Sequence, residues 1–484
     1  MRLILEGKIN KLYVQSLCMV FFRGEKFPEN EQNPMGTIYV KATESQNGID
    51  AICELTYKDK NASTSVFVEF EPCDSYERTC KCAVGKAVYL AGKELTGREA
   101  PWGILTGIRP SKVADDLLSR LSYENAHKVL VEKYLLAPNK ASLTLDVAKN
   151  EAEIFNKYGE DTCSLYISIP FCPTRCEYCS FISYATKKLF DLIPSYLTRL
   201  YEDIREKCKI IKELGLKLVT VYVGGGTPTT LNEEQLTSLL TVISDCVDID
   251  SLDEFTIECG RPDTITQKKL EIIKSFGVKR ISVNPQTLND KVLLSIGRRH
   301  TVKDFYDAYK LVQNTGIDIV NTDLIAGLDG DDFESFKSTV DNIIKLNPNN
   351  VTVHSFSIKK SARILQNDSS IYEYSGDFAV SSVDYAYNEL VSNGYVPYYM
   401  YRQKNTVSDL ENVGYAKKGT FGIYNVLMMS DNHTVFSSGA GATTKLVKNL
   451  SINKEILRIF SPKYPYEYLQ DKQDSCKAIL NFFN

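Results

Sequence analysis

Thirteen cysteines are spread over the 484 residues, but three of them crowd one short stretch. Ser164 to Ser180 reads SLYISIPFCPTRCEYCS, with Cys172, Cys176 and Cys179 in C-x3-C-x2-C spacing directly after an apolar run that predicts a strand. Sulfurs spaced this way on one loop can be aimed at a single centre, and as thiolates they suit zinc or an iron–sulfur cluster. A structural zinc site normally takes four protein ligands, commonly from paired C-x2-C knuckles. No second pair of that kind follows. A redox dithiol made of Cys176 and Cys179 would leave Cys172 idle. Three ligands and an open fourth position instead suggest a [4Fe–4S] cluster whose unique iron takes an outside ligand.

The elements that must position such a loop are legible on either side of it. From Ser164 to Ile358 strand-like and helical patterns alternate. Strands are predicted over Leu165–Pro170, Leu218–Val223, Glu254–Glu258, Arg280–Val283, Ile317–Leu324 and Val351–Ser357. Helical periodicity fills the gaps, over Glu233–Val247, Thr266–Phe276, Val302–Asn314 and Asp332–Leu346. Alternation of this kind predicts a parallel sheet with right-handed crossovers, whose ligands gather at the C-terminal strand ends. Periodicity does not say whether the six units close, open or form part of a barrel.

Polar residues stand at those strand ends. Strand two runs into Gly224-Gly225-Gly226-Thr227-Pro228-Thr229, where glycine lets the backbone come close to a ligand. Strand three delivers Glu258, for which the plain alternative role is a salt bridge to Arg261. Strand four leads to Gln286 and then to Arg298, whose guanidinium could fork onto a carboxylate. Asp323 interrupts an apolar run in strand five, a costly place for an unpaired charge. Strand six carries His354, more at home as a hydrogen-bonded core residue than as a ligand, and Ser357.

C-x3-C-x2-C with an aromatic residue before the last cysteine resembles the cluster motif of radical S-adenosylmethionine (SAM) enzymes. The YISIPFC lead-in and GGGTPT turn resemble one branch, the oxygen-independent coproporphyrinogen III oxidase-like family. The resemblance implies a partial (β/α)6 barrel and a [4Fe–4S] cluster on Cys172, Cys176 and Cys179, with SAM chelated to the open iron. It implies SAM or cluster contacts at Tyr166, Tyr178, Gly225, Gly226, Thr227, Glu258, Gln286, Arg298, Asp323 and Ser357. It also implies a low-potential electron donor and a tetrapyrrole substrate, two propionates of which become vinyl groups. Lys359, Lys360, Arg363, Arg402 and Lys404 are candidates to meet the substrate's carboxylates. Two positions depart from the family's decarboxylases. Ser168 stands where they have a histidine, and Ser180-Phe181 where they tend to carry another cysteine. GRPD, NPQT and RQKN fit the HemZ-type group of the family. A haem-binding chaperone of the same fold, or another radical SAM enzyme acting on a tetrapyrrole, therefore stays open beside the oxidase.

Three domains are expected: an α+β extension over 1–160, the barrel over 161–361, and an α+β capping region over 362–484. The first shows β-like runs at 36–41 and 65–70, a helical pattern from Cys80 to Gly97, and the turn-rich PWGILTGIRPSK around the single tryptophan, Trp102. Cys73, Cys80 and Cys82 read as unrelated core or surface cysteines. The last third gathers Tyr398, Tyr399, Tyr401 and Arg402, which either cap the barrel or pack beside it.

Lys plus Arg total 57 against 61 Asp plus Glu, a net charge of −4 that gives no reason to expect a nucleic-acid partner. Charges interrupt the apolar residues of MRLILEGKINKL, unlike a signal peptide, and no window reaches the roughly 18 apolar residues of a membrane span. Three cysteines are accounted for as ligands and the rest are mostly scattered through apolar contexts, which is consistent with a reducing cytoplasm. A monomer is expected.

Overall fold

The computed structural model describes residues 1–23, 25–28, 34–176, 178–179, 187–357, 376–403, 409–449, 454–471 and 475–483. Lys359, Lys360, Arg363, Lys404, Ser180 and Phe181 lie outside the described residues. Two compact units emerge: Met1–Lys149 with Met400–Asn412 and the described part of Asp368–Val380, and a larger one holding the remainder.

In the first unit, strands β1 (Arg2–Glu6), β2 (Gly36–Glu44), β3 (Gly48–Tyr57) and β4 (Lys60–Glu69) pair in that order. β1 runs parallel to β2, and the other pairs are antiparallel. Period-two patterning decides which face is covered. Ile49, Ala51, Cys53 and Leu55 are buried while Asp50 and Glu54 face out. The helix Tyr76–Thr96 packs on the sheet, started by the Ser75 side chain and stopped by Gly97 at φ 68°. Cys80 and Cys82 on that helix donate to the Lys8 and Lys133 carbonyls, and Cys73 is exposed, as the sequence suggests.

The turn-rich segment around Trp102 acquires a role here. Trp102 Nε1 donates to Glu411 at 2.8 Å, and Lys140 Nζ pairs with the same buried carboxylate at 2.6 Å. Arg402 stacks over the Trp102 ring, donates to the Leu105 carbonyl and pairs with Asp409. Its charge is neutralised inside the unit, so Arg402 is not the free cation expected for a substrate carboxylate.

In the second unit the expected strands are β5 (Thr162–Ile169), β6 (Lys217–Gly225), β7 (Glu254–Glu258), β8 (Arg280–Ser282), β9 (Ile319–Ala326) and β10 (Asn350–Ser355). The same sheet also contains β11 (Val396–Arg402) and β12 (Glu411–Ala416), each with residues counted in the first unit, and β13 (Thr434–Ser438), β14 (Thr443–Asn449) and β15 (Lys454–Phe460). The sheet order is β11-β12-β10-β9-β8-β7-β6-β5-β13-β14-β15. Neighbours from β10 through β5 to β13 are parallel, and antiparallel partners stand outside them, β12 on β10 and β14 on β13. The fold is α/β, with the parallel strands of a partial barrel. β13 is a seventh parallel strand that the six-unit pattern did not contain. Several helices between the strands begin on side-chain caps, including full capping boxes at Asn232/Gln235 and Thr301/Asp304. Among the described residues no helix is long and apolar enough to cross a membrane.

The N-terminal strand ends are closed by the protein itself. Arg280, first residue of β8, donates to Asn321 and Asn350 at 2.7 and 3.0 Å and to the Thr420 and Phe421 carbonyls at 2.9 and 2.8 Å. It also pairs with Glu254 at 3.4 Å, and Glu254 accepts the Ile423 N–H. Tyr424, next along, lies on Tyr222 with ring centroids 4.4 Å apart. Tyr398 stacks on Phe421 and accepts from Asn350, so it belongs to this closed end rather than to a pocket.

Candidate active site

The opposite strand ends carry the polar residues. After β5 the chain passes through buried Phe171 into the cysteine loop. The glycine turn after β6 is zipped onto that loop's start: Gly226 N donates to Ile169 O and Thr227 N to Phe171 O, each at 2.8 Å. A Cβ on Gly226 would stand 2.6 Å from the Phe171 carbonyl oxygen, and Gly225 sits at φ 105°. The glycines are thus needed for one strand end to close on another.

Each sulfur of the loop has its own surroundings. Cys172 Sγ lies 3.3 Å from Thr227 Oγ1, and Cys176 Sγ accepts from Arg261 Nη1 at 3.2 Å. Cys179 N donates to Cys176 O, a turn bond, and its side chain is half-exposed. Among the described residues no group of three His, Cys, Asp or Glu side chains is drawn together closely enough to hold a metal ion as it stands. The donor chemistry nevertheless fits an iron–sulfur cluster, with three soft sulfurs on one short loop at a strand-end mouth.

Around the loop stand two buried guanidiniums. Arg298 Nη1 donates to the Gly260 and Asn284 carbonyls at 3.1 and 2.9 Å, and Nη2 donates to the Tyr178 hydroxyl at 3.1 Å. Its Nε has no hydrogen-bond partner among the described residues, and neither has the buried Gln286 Oε1. Gln286 holds φ 69° and forms an isolated bridge to Leu324. Left-handed backbone at a residue other than glycine, with an orphan polar atom beside it, marks a place shaped for a ligand. Burial raises the Tyr178 hydroxyl's pKa, with Arg298 opposing.

Deeper in, Glu258 accepts from the Tyr222 hydroxyl at 2.6 Å. Burial, reinforced by Asp323, pushes its carboxyl up to about 7. Asp323 accepts from Asn284 Nδ2 at 2.7 Å, and His354 Nε2 stands 3.9 Å from the same carboxylate oxygen. His354 and Asp323 are 28% and 24% exposed at the side chain, so the histidine faces the mouth rather than the core. Tyr166 stacks on Tyr222 and on Tyr424, both with centroids at 6.1 Å, and the three rings make a floor. Ser357 is half-buried just past β10.

Arg261 corrects a sequence reading. It leaves Glu258 to Tyr222 and pairs with Asp263 at 3.3 Å, while its guanidinium reaches the cysteine loop. Asn284, Tyr222 and Tyr424 were also missed; a strand-end asparagine and aromatic residues carry no spacing signal. Ser168 Oγ donates to the Ala440 carbonyl at 2.8 Å.

A family model described as the radical SAM superfamily matches residues 166–343. The chain is 37% identical over 378 residues to the oxygen-independent coproporphyrinogen-III oxidase-like protein HemZ of Bacillus subtilis (strain 168), covering 77% of this chain and 75% of that protein. It is 30% identical over 282 residues to the heme chaperone HemW of Lactococcus lactis subsp. lactis (strain IL1403), covering 58% of this chain and 69% of the other. Among solved structures, coproporphyrinogen III oxidase (HemN) from Escherichia coli shares the fold, with a TM-score of 0.50 and 20% identity over 67% of this chain and 71% of that one.

Proposed function

Because the chain belongs to the oxygen-independent coproporphyrinogen III oxidase-like family of radical SAM enzymes, with its [4Fe–4S] cluster and SAM, we propose that it oxidises propionate side chains of a tetrapyrrole. In this reading coproporphyrinogen III loses two carboxyl groups as CO2 and gains vinyl groups, giving protoporphyrinogen IX. A low-potential donor supplies electrons, and the protein works as a cytoplasmic monomer. The observation that carries the reading is the 37% identity to HemZ over most of both chains.

Cys172, Cys176 and Cys179, as thiolates, hold the cluster. Bound together, cluster and SAM supply a carbon radical able to take hydrogen from an unactivated C–H bond. The chain's own residues do the rest. Arg298, already fixed by two carbonyls and Tyr178, offers its unpartnered Nε–H to the SAM carboxylate. Gln286 Oε1 and the backbone beside Gly225, Gly226 and Thr227 accept the amino group. Asp323 is held by Asn284 and takes a ribose hydroxyl. Glu258, poised near neutrality, has both a donating and an accepting form available. The Tyr166–Tyr222–Tyr424 floor keeps water from entering from below.

A second reading, a haem chaperone, is favoured by Ser168. At the position where the family's decarboxylases have histidine, the hydroxyl is spent on Ala440 O, and a Cβ at Gly439 would lie 3.1 Å from the Ser168 Cβ. An anaerobic assay with coproporphyrinogen III present and absent, followed by mass spectrometry of the porphyrin, decides. Two successive losses of CO2 and two hydrogens are expected. Stoichiometric haem binding with no vinyl product selects the chaperone.

A further inference from the structure

At this mouth the Arg261 guanidinium touches a cysteine sulfur. Arg261 follows β7 and Gly260, and its backbone carbonyl is pinned by both Thr264 N and Thr264 Oγ1, at 3.0 and 2.8 Å. The side chain is 4% exposed. Its three nitrogens divide their partners: Nε faces Asp263 at 3.3 Å, Nη2 donates to Thr174 Oγ1, and Nη1 donates to Cys176 Sγ at 3.2 Å. One guanidinium therefore grips two points of the cysteine loop. Arg298, by contrast, donates to the Tyr178 hydroxyl of that loop and to two backbone carbonyls outside it.

We propose that Arg261 is a positioning residue for the cluster that also sets its reduction potential, by donating a charged N–H to the Cys176 sulfur. The inference rests on the three-cysteine reading of the cluster site. Reduction adds an electron whose charge spreads onto the ligand sulfurs. A fixed N–H donor and a permanent positive charge stabilise that extra charge more than they stabilise the oxidised form. Burial strengthens the effect, because the field is poorly screened. Asp263 offsets part of the arginine's charge from its partly exposed position. The arrangement predicts opposite signs at the two residues: loss of Arg261 lowers the potential, and loss of the Asp263 charge raises it.

The test uses the full chain, reconstituted anaerobically, with iron counted per chain and the midpoint read by EPR-monitored redox titration. Arg261→Gln is expected to make reduction about tenfold less favourable, about 59 mV lower for a one-electron couple. Arg261→Lys, which keeps a charged donor, restores most of the difference. Arg261→Gln with full iron content and an unchanged midpoint overturns the inference. If Arg261→Gln does not take up the full complement of iron, Asp263→Asn decides, since it leaves the arginine in place. A raised midpoint supports the inference, and an unchanged or lowered one overturns it. A wild-type chain that takes up no iron refutes the cluster reading itself, whereas normal iron with unmoved potentials refutes only the part given to Arg261.

Discussion

The two ends of the parallel strands bury similar side chains and treat them differently. At the N-terminal end, Arg280 is surrounded by Glu254, Asn321, Asn350 and the Thr420 and Phe421 carbonyls, while residues 420–424 fill the space in front of it. At the C-terminal end Arg298 and Gln286 are also buried. Arg280 Nε, though not hydrogen-bonded, faces Glu254 at 3.4 Å, whereas among the described residues Arg298 Nε and Gln286 Oε1 have no hydrogen-bond partner. The closed end is a structural network. The open end keeps polar atoms unpaired at a cost that a bound ligand would remove. An arginine's identity therefore says little about its role, and the tally of its partners says much.

Substitutions at the two ends should fail in different ways. Cys176→Ala at the open end is expected to abolish iron binding, from about four irons per chain to below one, and SAM cleavage with it, while leaving the protein folded. Iron analysis and far-UV circular dichroism on the same sample check this. Arg280→Met at the closed end leaves Glu254 buried without its ion partner. That should cost about 3–5 kcal/mol in urea unfolding, with iron content per folded chain unchanged. Loss of iron in Arg280→Met would show that the two ends are not separable.

A smaller effect belongs to Arg298→Lys, which keeps the charge but loses the planar fork. SAM affinity of the reconstituted protein, measured by equilibrium dialysis, should fall about tenfold. The unfolding midpoint should move far less than for Arg280→Met.

The remaining effects, a few kcal/mol at most, come from two buried titrating groups and have opposite signs. Glu258, near the open end, is raised to about 7 in the folded chain. Its contribution is complete below the usual carboxylate pKa and is lost as pH rises through about 7. His433, bonded to Ser164 near the start of β5, is pushed down by burial to about 3. Its contribution is complete above the usual histidine pKa and is lost as pH falls from there toward about 3. Urea unfolding of the cluster-free chain should therefore lose the alkaline-side slope in Glu258→Gln and the acid-side slope in His433→Gln. Unaltered pH profiles in both variants would remove this part of the contrast.

Much of the open end was legible in the sequence, because its signals are local. Strand–helix alternation placed six strand ends, and the three cysteines occupy one loop. The closed end was not legible. β13 joins β5 across some 270 residues, pairing Thr434 with Cys163, and no local period announces a parallel partner so distant. The same holds for Arg402, whose ring partner Trp102 lies about 300 residues away. The salt bridge from Glu258 to Arg261, offered only as the plain alternative, does not form, for a different reason. Arg261 stands three positions after Glu258, but the chain leaves β7 after Glu258 and turns through Pro262–Thr264, which carries the guanidinium toward the cysteine loop. Proximity in sequence named the wrong partner once the backbone turned.

The central claim is that the C-terminal mouth holds a SAM-chelating cluster on Cys172, Cys176 and Cys179. Anaerobic reconstitution of the full chain with iron and sulfide, followed by SAM and a strong reductant, tests it most directly. The expected result is about four irons per chain and 5′-deoxyadenosine that appears only with reductant. A chain that takes up zinc in preference to iron, or that holds four irons and leaves SAM intact, would contradict the claim.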